Sequence, residues 1–159
     1  MAEIIIVTGK INSGKSTYLQ KLAAEEKALG NVITGIIARG IYEGGKKVGY
    51  DIIDIADGGS LPLARTIPFA DSEIQSGKYY FSQAAFAFAE NVLLRFKPNG
   101  VVFLDEAGPL ELAGKGYADC LKVLLQAKIS KLYIVVRKEL LADFTEMFIG
   151  DQPTKTIKV

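Results

Sequence analysis

The eight residues Gly9-Lys10-Ile11-Asn12-Ser13-Gly14-Lys15-Ser16, directly behind the apolar run Ile4-Ile5-Ile6-Val7, constrain this chain more than any other feature. They fit Gly-x-x-x-x-Gly-Lys-[Ser/Thr], which requires a strand before the loop and a helix after it. A loop that wraps phosphate turns its backbone N–H groups inward and ends on a helix N-terminus, where the partial positive charge faces the anion. Gly9 and Gly14 stand where a Cβ would block that approach. Asn12 occupies a loop position where glycine is common, and asparagine tolerates left-handed backbone better than most residues. The pattern assigns Lys15 to the β- and γ-phosphates and the Ser16 hydroxyl to a magnesium ion. Gly9, Lys10, Ile11, Asn12, Ser13, Gly14, Lys15, Ser16 and Thr17 are therefore the expected nucleotide-binding residues, and a nucleoside triphosphate such as ATP or GTP the expected ligand. A chance match in a glycine-rich turn is the competing reading.

Composition removes other chemistries. The chain has no histidine, which excludes Ser-His-Asp and Cys-His catalysis and His-ligated metals. The single Cys120 has no partner for an internal disulfide and sits in the apolar pattern Cys120, Leu121, Leu124, Leu125, so it reads as a buried structural thiol. A net charge of +1 gives no basic excess for nucleic acid or an acidic membrane surface. No signal-peptide pattern and no apolar stretch of bilayer-spanning length is found, so a cytoplasmic location is the default expectation. The 159 residues suit one domain, spanning 1–159.

Along the chain, Leu19, Leu22, Ala23 and Leu29 recur at helical spacing until Gly30-Asn31. Two β-rich runs, 32–39 and 48–55, flank Glu43-Gly44-Gly45-Lys46 and predict an antiparallel hairpin. Leu61-Pro62-Leu63-Ala64-Arg65 reads as an edge strand because of its proline. Lys78 to Phe81 predicts a short strand, and Ser82 caps a helix with Phe86, Ala89, Leu93 and Phe96 on one face. Val101-Val102-Phe103-Leu104 has the continuous apolar character of a strand buried on both faces. A helix over 116–128, a strand over 132–136, a helix carrying Leu140 to Phe148 and an optional edge strand at Ile157-Lys158-Val159 complete the expectation. Strands alternating with helices predict a parallel α/β sandwich whose ligands sit at the carboxyl ends of the strands. Gly9 and Asp105 both fall there.

Asp105, directly after the four apolar residues, has the form of a Walker B aspartate and is the second expected magnesium ligand, opposite Ser16. Glu106 alternates away from it and is positioned to orient and deprotonate an attacking water. Lys15 and Glu106 are thus the expected catalytic pair. A polar strand terminus is the bland alternative.

Thr8 to Thr17, Ala38-Arg39, the stretch Lys46-Lys47-Val48-Gly49-Tyr50-Asp51-Ile52-Ile53-Asp54, Gly77-Lys78-Tyr79, and Leu104-Asp105-Glu106-Ala107-Gly108-Pro109-Leu110-Glu111-Leu112 together resemble the cancer-related, or THEP-type, nucleoside-triphosphatase family. The resemblance runs from the N-terminus to about Phe148. It implies a P-loop NTPase with a RecA-like three-layer α/β sandwich, a mostly parallel sheet and a β-hairpin insert. It also implies magnesium-dependent conversion of nucleoside triphosphates to diphosphates, with loose base selectivity. Two departures stand out: Asn12 where the family has glycine, and Pro109-Leu110 where it has lysine and methionine. Lys10, Arg39 or Lys78 would then have to supply the missing charge.

Four arginines exist; Arg39 and Arg137, at predicted strand ends, lead as transition-state fingers over Arg65 and Arg95, although solvated surface roles compete. Lys46-Lys47 reads as a solvated hairpin tip, and Tyr50 as a packing residue or a base stacker. A small-molecule or nucleotide kinase and a low-turnover nucleotide-binding adaptor share the P-loop. Against them stand the lack of an arginine-rich lid segment and of an Asn-Lys-x-Asp guanine motif. No protein partner can be named.

Overall fold

A computed structural model describes residues 2–11, 13–72 and 74–159. Among the described residues nine strands form one sheet: β1 (Glu3–Gly9), β2 (Ile33–Glu43), β3 (Lys46–Asp54), β4 (Ser60–Arg65), β5 (Ile74–Ser76), β6 (Tyr79–Phe81), β7 (Val101–Ala107), β8 (Lys131–Arg137) and β9 (Thr154–Lys158). Their order across the sheet is β5-β6-β4-β3-β2-β7-β8-β1-β9. The helices are α1 (Lys15–Ala28), α2 (Gln83–Leu93), the single turn α3 (Pro109–Leu112), α4 (Ala118–Gln126) and α5 (Leu141–Phe144).

Alternation along the central strands divides the core into two layers. Ile5 and Val7 of β1, Val101 and Phe103 of β7, and Tyr133 and Val135 of β8 pack with Leu19, Leu22 and Ala23 of α1. Ile4, Ile6, Val102, Leu104, Leu132 and Ile134 face the other way, onto Phe86, Ala89 and Leu93 of α2 and Leu121 and Leu124 of α4. A sheet whose every residue lands in one of two cores must be apolar throughout, as the unbroken run at Val101–Leu104 anticipates. The three-layer arrangement is as expected.

The expectation of a mostly parallel sheet is corrected. Four pairings are parallel, β1 with β8, β1 with β9, β2 with β7 and β7 with β8. Four are antiparallel, β2 with β3, β3 with β4, β4 with β6 and β5 with β6. The hairpin does not stand apart as an insert. The first residues of β2 pair with β7 while the later ones pair with β3, so the short-looped strands that follow extend the same sheet, and loops this short permit only antiparallel neighbours.

The proline-bearing strand is likewise not an edge. β4 lies between β3 and β6, but only its Ala64 and Arg65 pair with β6, so at Pro62 the strand has a partner on the β3 side alone. The proline thus keeps the locally edge-like place its sequence suggests, within a strand that is internal to the sheet. The true edges are β5, which the sequence did not announce, and β9, whose pairing with β1 bears out the tail strand.

Smaller differences have local causes. Leu29 is the C-cap of α1 and is exposed, so the first helix ends its apolar face at Ala23. Glu26 on the same helix is buried: it accepts hydrogen bonds from Asn31, Lys131 and the Tyr133 hydroxyl. Those three donors outweigh burial and hold its carboxyl below its ordinary value. The last helix is not continuous: a 3-10 turn (Lys138–Leu140) precedes α5 and a π-turn (Thr145–Ile149) follows it, with Phe144 buried and Met147 exposed. Cys120 is buried as expected, and burial, with Glu90 adding to it, pushes its thiol up to about 12, leaving it unreactive. Among the described residues no helix is long and apolar enough to cross a membrane.

Candidate functional site

The P-loop runs from the end of β1 into α1. Gly9 cannot carry a side chain: an added Cβ would lie 2.5 Å from both the Ser13 hydroxyl and the Val159 carbonyl. Gly14, the N-cap of α1, has φ +88°, left-handed backbone that glycine adopts without strain. These two glycines therefore serve different ends, one close packing and the other a turn into the helix.

Lys15 is buried and its Nζ donates to the Lys10 carbonyl at 2.6 Å, closing the loop on itself. The Ser13 hydroxyl and the Thr8 hydroxyl are buried without a hydrogen-bond partner. Buried polar atoms normally find one, so their neighbourhood is prepared for a polar guest.

Asp105 meets the P-loop from β7. Its Oδ2 accepts from the Ser16 hydroxyl at 2.6 Å and from the Ala38 N–H at 3.0 Å, while Oδ1 is buried with no hydrogen-bond partner. Burial raises the Asp105 carboxyl to about 7 against the lowering effect of the Ser16 hydrogen bond, with the negative charge of Glu106 raising it further. The two residues expected to share magnesium are thus already in contact, with a spare oxygen on the aspartate. Among the described residues there is no group of three His, Cys, Asp or Glu side chains suited to a metal. One carboxylate, one hydroxyl and oxygen donors from phosphate are what magnesium accepts, so Ser16 and Asp105 fit that ion.

Both carboxylates of the Asp-Glu pair line the same cleft, where the expectation had Glu106 turned from Asp105 toward the terminal phosphate. β7 carries one extra residue relative to β8 at this point: Leu104 pairs with Ile134 and Ala107 with Val136. A bulge of this kind re-aims a side chain. Burial raises the Glu106 carboxyl, countered by the nearby charges of Arg137, Lys15 and Lys47. Arg137 Nε lies 3.6 Å from Glu106 Oε1.

The cleft has a volume of about 740 Å³. Ile11, Ser13, Gly14, Lys15, Ser16, Thr17, Asp105 and Glu106 all line it; Gly9 and Lys10 form its frame without lining it, and Asn12 lies outside the described residues. Of the candidate cations, Arg39 is exposed and paired with Asp51 at 3.1 Å, outside the cleft. Arg65 also binds Asp51, and Arg95 binds Asp54. Arg137, Lys47 and Lys78 are the ones that line it. Lys47 is not a solvated tip: it is half-buried, over the Tyr50 ring at 4.8 Å. Sequence reading missed it because a lysine beside a Gly-Gly turn carries no sign of which way its strand faces.

Glu111 was not singled out either. Its Oε1 accepts from the Gly108 N–H at 2.7 Å and its Oε2 from the Tyr117 N–H at 2.8 Å, tying the loop after Glu106 to the start of α4. Burial raises its carboxyl to about 7 against those two hydrogen bonds. An acid with a raised folded-state value favours folding in its neutral form. That contribution is fully present below the unfolded value of 4.5 and is lost as pH rises to about 7. Urea unfolding of wild type and Glu111→Gln at pH 5 and pH 7.5 reads this directly. The stability advantage of wild type is expected to shrink by on the order of 2 kcal/mol across that interval. An advantage that stays constant would mean Glu111 does not titrate there.

With this geometry in place, comparison with known proteins is specific. A family model described as NTPase matches residues 4–159. Nucleoside-triphosphatase THEP1 of Methanopyrus kandleri is 29% identical over 136 residues, covering 85% of this chain and 74% of that protein. Nucleoside-triphosphatase THEP1 of Methanocaldococcus jannaschii is 27% identical over 125 residues, 77% of this chain and 72% of that one. The crystal structure of THEP1 from Aquifex aeolicus superposes with TM-score 0.74 at 21% identity, over 98% of this chain and 88% of that one. The solution structure of a human cancer-related nucleoside triphosphatase gives TM-score 0.69 at the same identity, over 99% of this chain and 89% of that one. These two structures establish a shared fold. The family match over residues 4–159, which include the P-loop and the Asp-Glu strand that meet in the cleft, places this chain in the NTPase family.

Proposed function

We propose that the protein hydrolyses nucleoside triphosphates to diphosphate and phosphate in a magnesium-dependent reaction that selects phosphate rather than base. The observation that carries this reading is the 2.6 Å hydrogen bond between Ser16 and Asp105, which joins the P-loop to the carboxyl end of β7 inside a cleft that also holds Lys15 and Glu106.

The chain's own groups divide the work. The P-loop N–H groups and the α1 N-terminus take up phosphate charge, and Lys15 exchanges its bond to the Lys10 carbonyl for phosphate oxygens. Magnesium, held by Ser16 and Asp105 when bound, would offset negative charge on the phosphate oxygens. Glu106 accepts the proton from the attacking water as its oxygen bonds to the terminal phosphorus and the bond to the leaving diphosphate breaks. Arg137, beside Glu106, opposes the upward push that burial gives that carboxyl and is the cation best placed to stand in for the charge that Pro109 does not supply.

Loose base selectivity follows if phosphate contacts dominate affinity, since the sequence holds no recognised base-reading motif beside a full phosphate site. Equilibrium binding and phosphate release across ATP, GTP, CTP and UTP, with and without magnesium, test both claims. Dissociation constants are expected to agree within about a hundredfold, or roughly 2.7 kcal/mol, and turnover to vanish on chelation. A larger preference for one base points to a specialised pocket, and metal-independent turnover removes the role assigned to Ser16 and Asp105.

A further inference from the structure

The cleft is larger than its phosphate end requires, and its far part is built of different material. The P-loop leaves β1, the carboxylates Asp105 and Glu106 leave β7, and beyond β7 come β2, β3, β4 and β6. β3 stands four strand spacings from β1, roughly 19 Å across the sheet. On that far flank the cleft is lined by Tyr42 of β2, Tyr50 and Lys47 of β3, Tyr79 of β6 and the neighbouring Lys78. Tyr50 and Tyr79 meet edge to face with centroids 5.4 Å apart. Lys47 lies over the rings of Tyr50 and Tyr42, at 4.8 Å and 5.7 Å, and Lys78 over that of Tyr79 at 5.3 Å.

We infer that this aromatic and lysine wall is a second ligand site, on the opposite side of the terminal phosphate from the P-loop, for a small molecule joining a planar ring to an anionic group; a nucleoside monophosphate has that chemistry. The inference rests on a triphosphate occupying the P-loop end. A triphosphate whose last phosphate meets Glu106 leaves its base trailing on the β1 side, so its own base does not fill the tyrosine wall. Aromatic faces topped by ammonium groups suit an exchange. The ligand's phosphate draws the lysines to itself, and its ring takes their place by stacking on the tyrosine faces.

A second observation concerns another residue of the same lining. Tyr117 lines the cleft and is 2% exposed, yet its hydroxyl has no hydrogen-bond partner. It is within electrostatic reach of Glu111 and Asp105. An unpaired buried hydroxyl is costly unless something polar completes it. A polar ligand reaching across the cleft between Asp105 and the tyrosine wall would supply that partner.

The test uses the protein saturated with magnesium and the β,γ-imido analogue of ATP, with loading confirmed by calorimetry, then titrated with AMP, GMP, CMP and UMP. At least one monophosphate is expected to bind with a dissociation constant below about 1 mM. Tyr50→Ala, Tyr79→Ala and Lys78→Glu should each weaken it at least tenfold; Lys78 is exposed, so that variant keeps the fold. No binding by any of the four overturns the second site, as does binding indifferent to all three substitutions. If the same variants weaken magnesium ATP but not magnesium tripolyphosphate, the wall holds the triphosphate's own base and the inference is wrong. Failure of the analogue itself to load would instead sink the P-loop reading along with it, and the loading step tells the two apart.

Discussion

Glu106→Gln is expected to lower triphosphate turnover by roughly 10² or more while magnesium-triphosphate binding survives. The amide keeps the size of the side chain but cannot accept a proton, so the loss falls on kcat. Asp105→Asn is expected to behave differently. Its Oδ2 already accepts from the Ser16 hydroxyl and the Ala38 N–H, and its Oδ1 is the buried oxygen with no hydrogen-bond partner. Replacing that carboxylate removes charge from the magnesium shell and puts an NH₂ group where an acceptor is needed, so metal-dependent binding and turnover should fall together. Steady-state phosphate release and an independent binding titration on each variant separate the two patterns. A Glu106→Gln enzyme as fast as wild type removes the proton-accepting role. Loss of binding in Glu106→Gln equal to that in Asp105→Asn would make the pair a single metal-binding unit.

Lys15→Ala is expected to weaken magnesium-triphosphate binding at least a hundredfold, about 2.7 kcal/mol, because it removes a charge-assisted donor to phosphate. The side chain is more buried than a ligand-facing lysine in open solvent would be, and it spans its own loop to the Lys10 carbonyl. Truncation therefore carries a modest stability cost of about 1 kcal/mol for that hydrogen bond. Binding titrations paired with a thermal melt distinguish the effects: a small change in melting temperature with a large loss of affinity is the expected outcome. Equal affinity in the variant would leave the Gly-Lys-Ser sequence as a turn and nothing more.

Most of the phosphate end was legible because its signals are local. Gly9, Gly14, Lys15 and Ser16 lie within one turn and its helix, where spacing alone fixes what can face a ligand. Asp105 follows four apolar residues, and a residue at the end of a doubly buried strand can be placed at the ligand edge of an α/β sheet without coordinates. The direction of Glu106 was partly readable. Alternation turned it from Asp105 toward the terminal phosphate, but that both line one cleft, beside an extra residue in β7, shows only in the folded chain.

The far side of the cleft was hidden for a related reason. Lys47, Tyr79, Glu111 and Tyr117 come from β3, β6, α3 and the start of α4, segments whose own patterns indicate elements but not neighbours. Pro62 was read correctly for its own position, which has a partner only on the β3 side, but it could not show that β6 joins β4 two residues later at Ala64 and Arg65.

The sequence by itself determined a strand, a phosphate loop and a helix, a second strand ending in acid, and two helical layers around them, because each depends on residues within a few positions of one another. Only the tertiary structure decided that half the strand pairings are antiparallel, that Ser16 already touches Asp105, that Arg137 rather than Arg39 reaches Glu106, and that four tyrosines and three lysines share the cleft. Those contacts join residues far apart along the chain, 89 positions for Ser16 and Asp105, and strand order and register, which no short stretch encodes, bring them together.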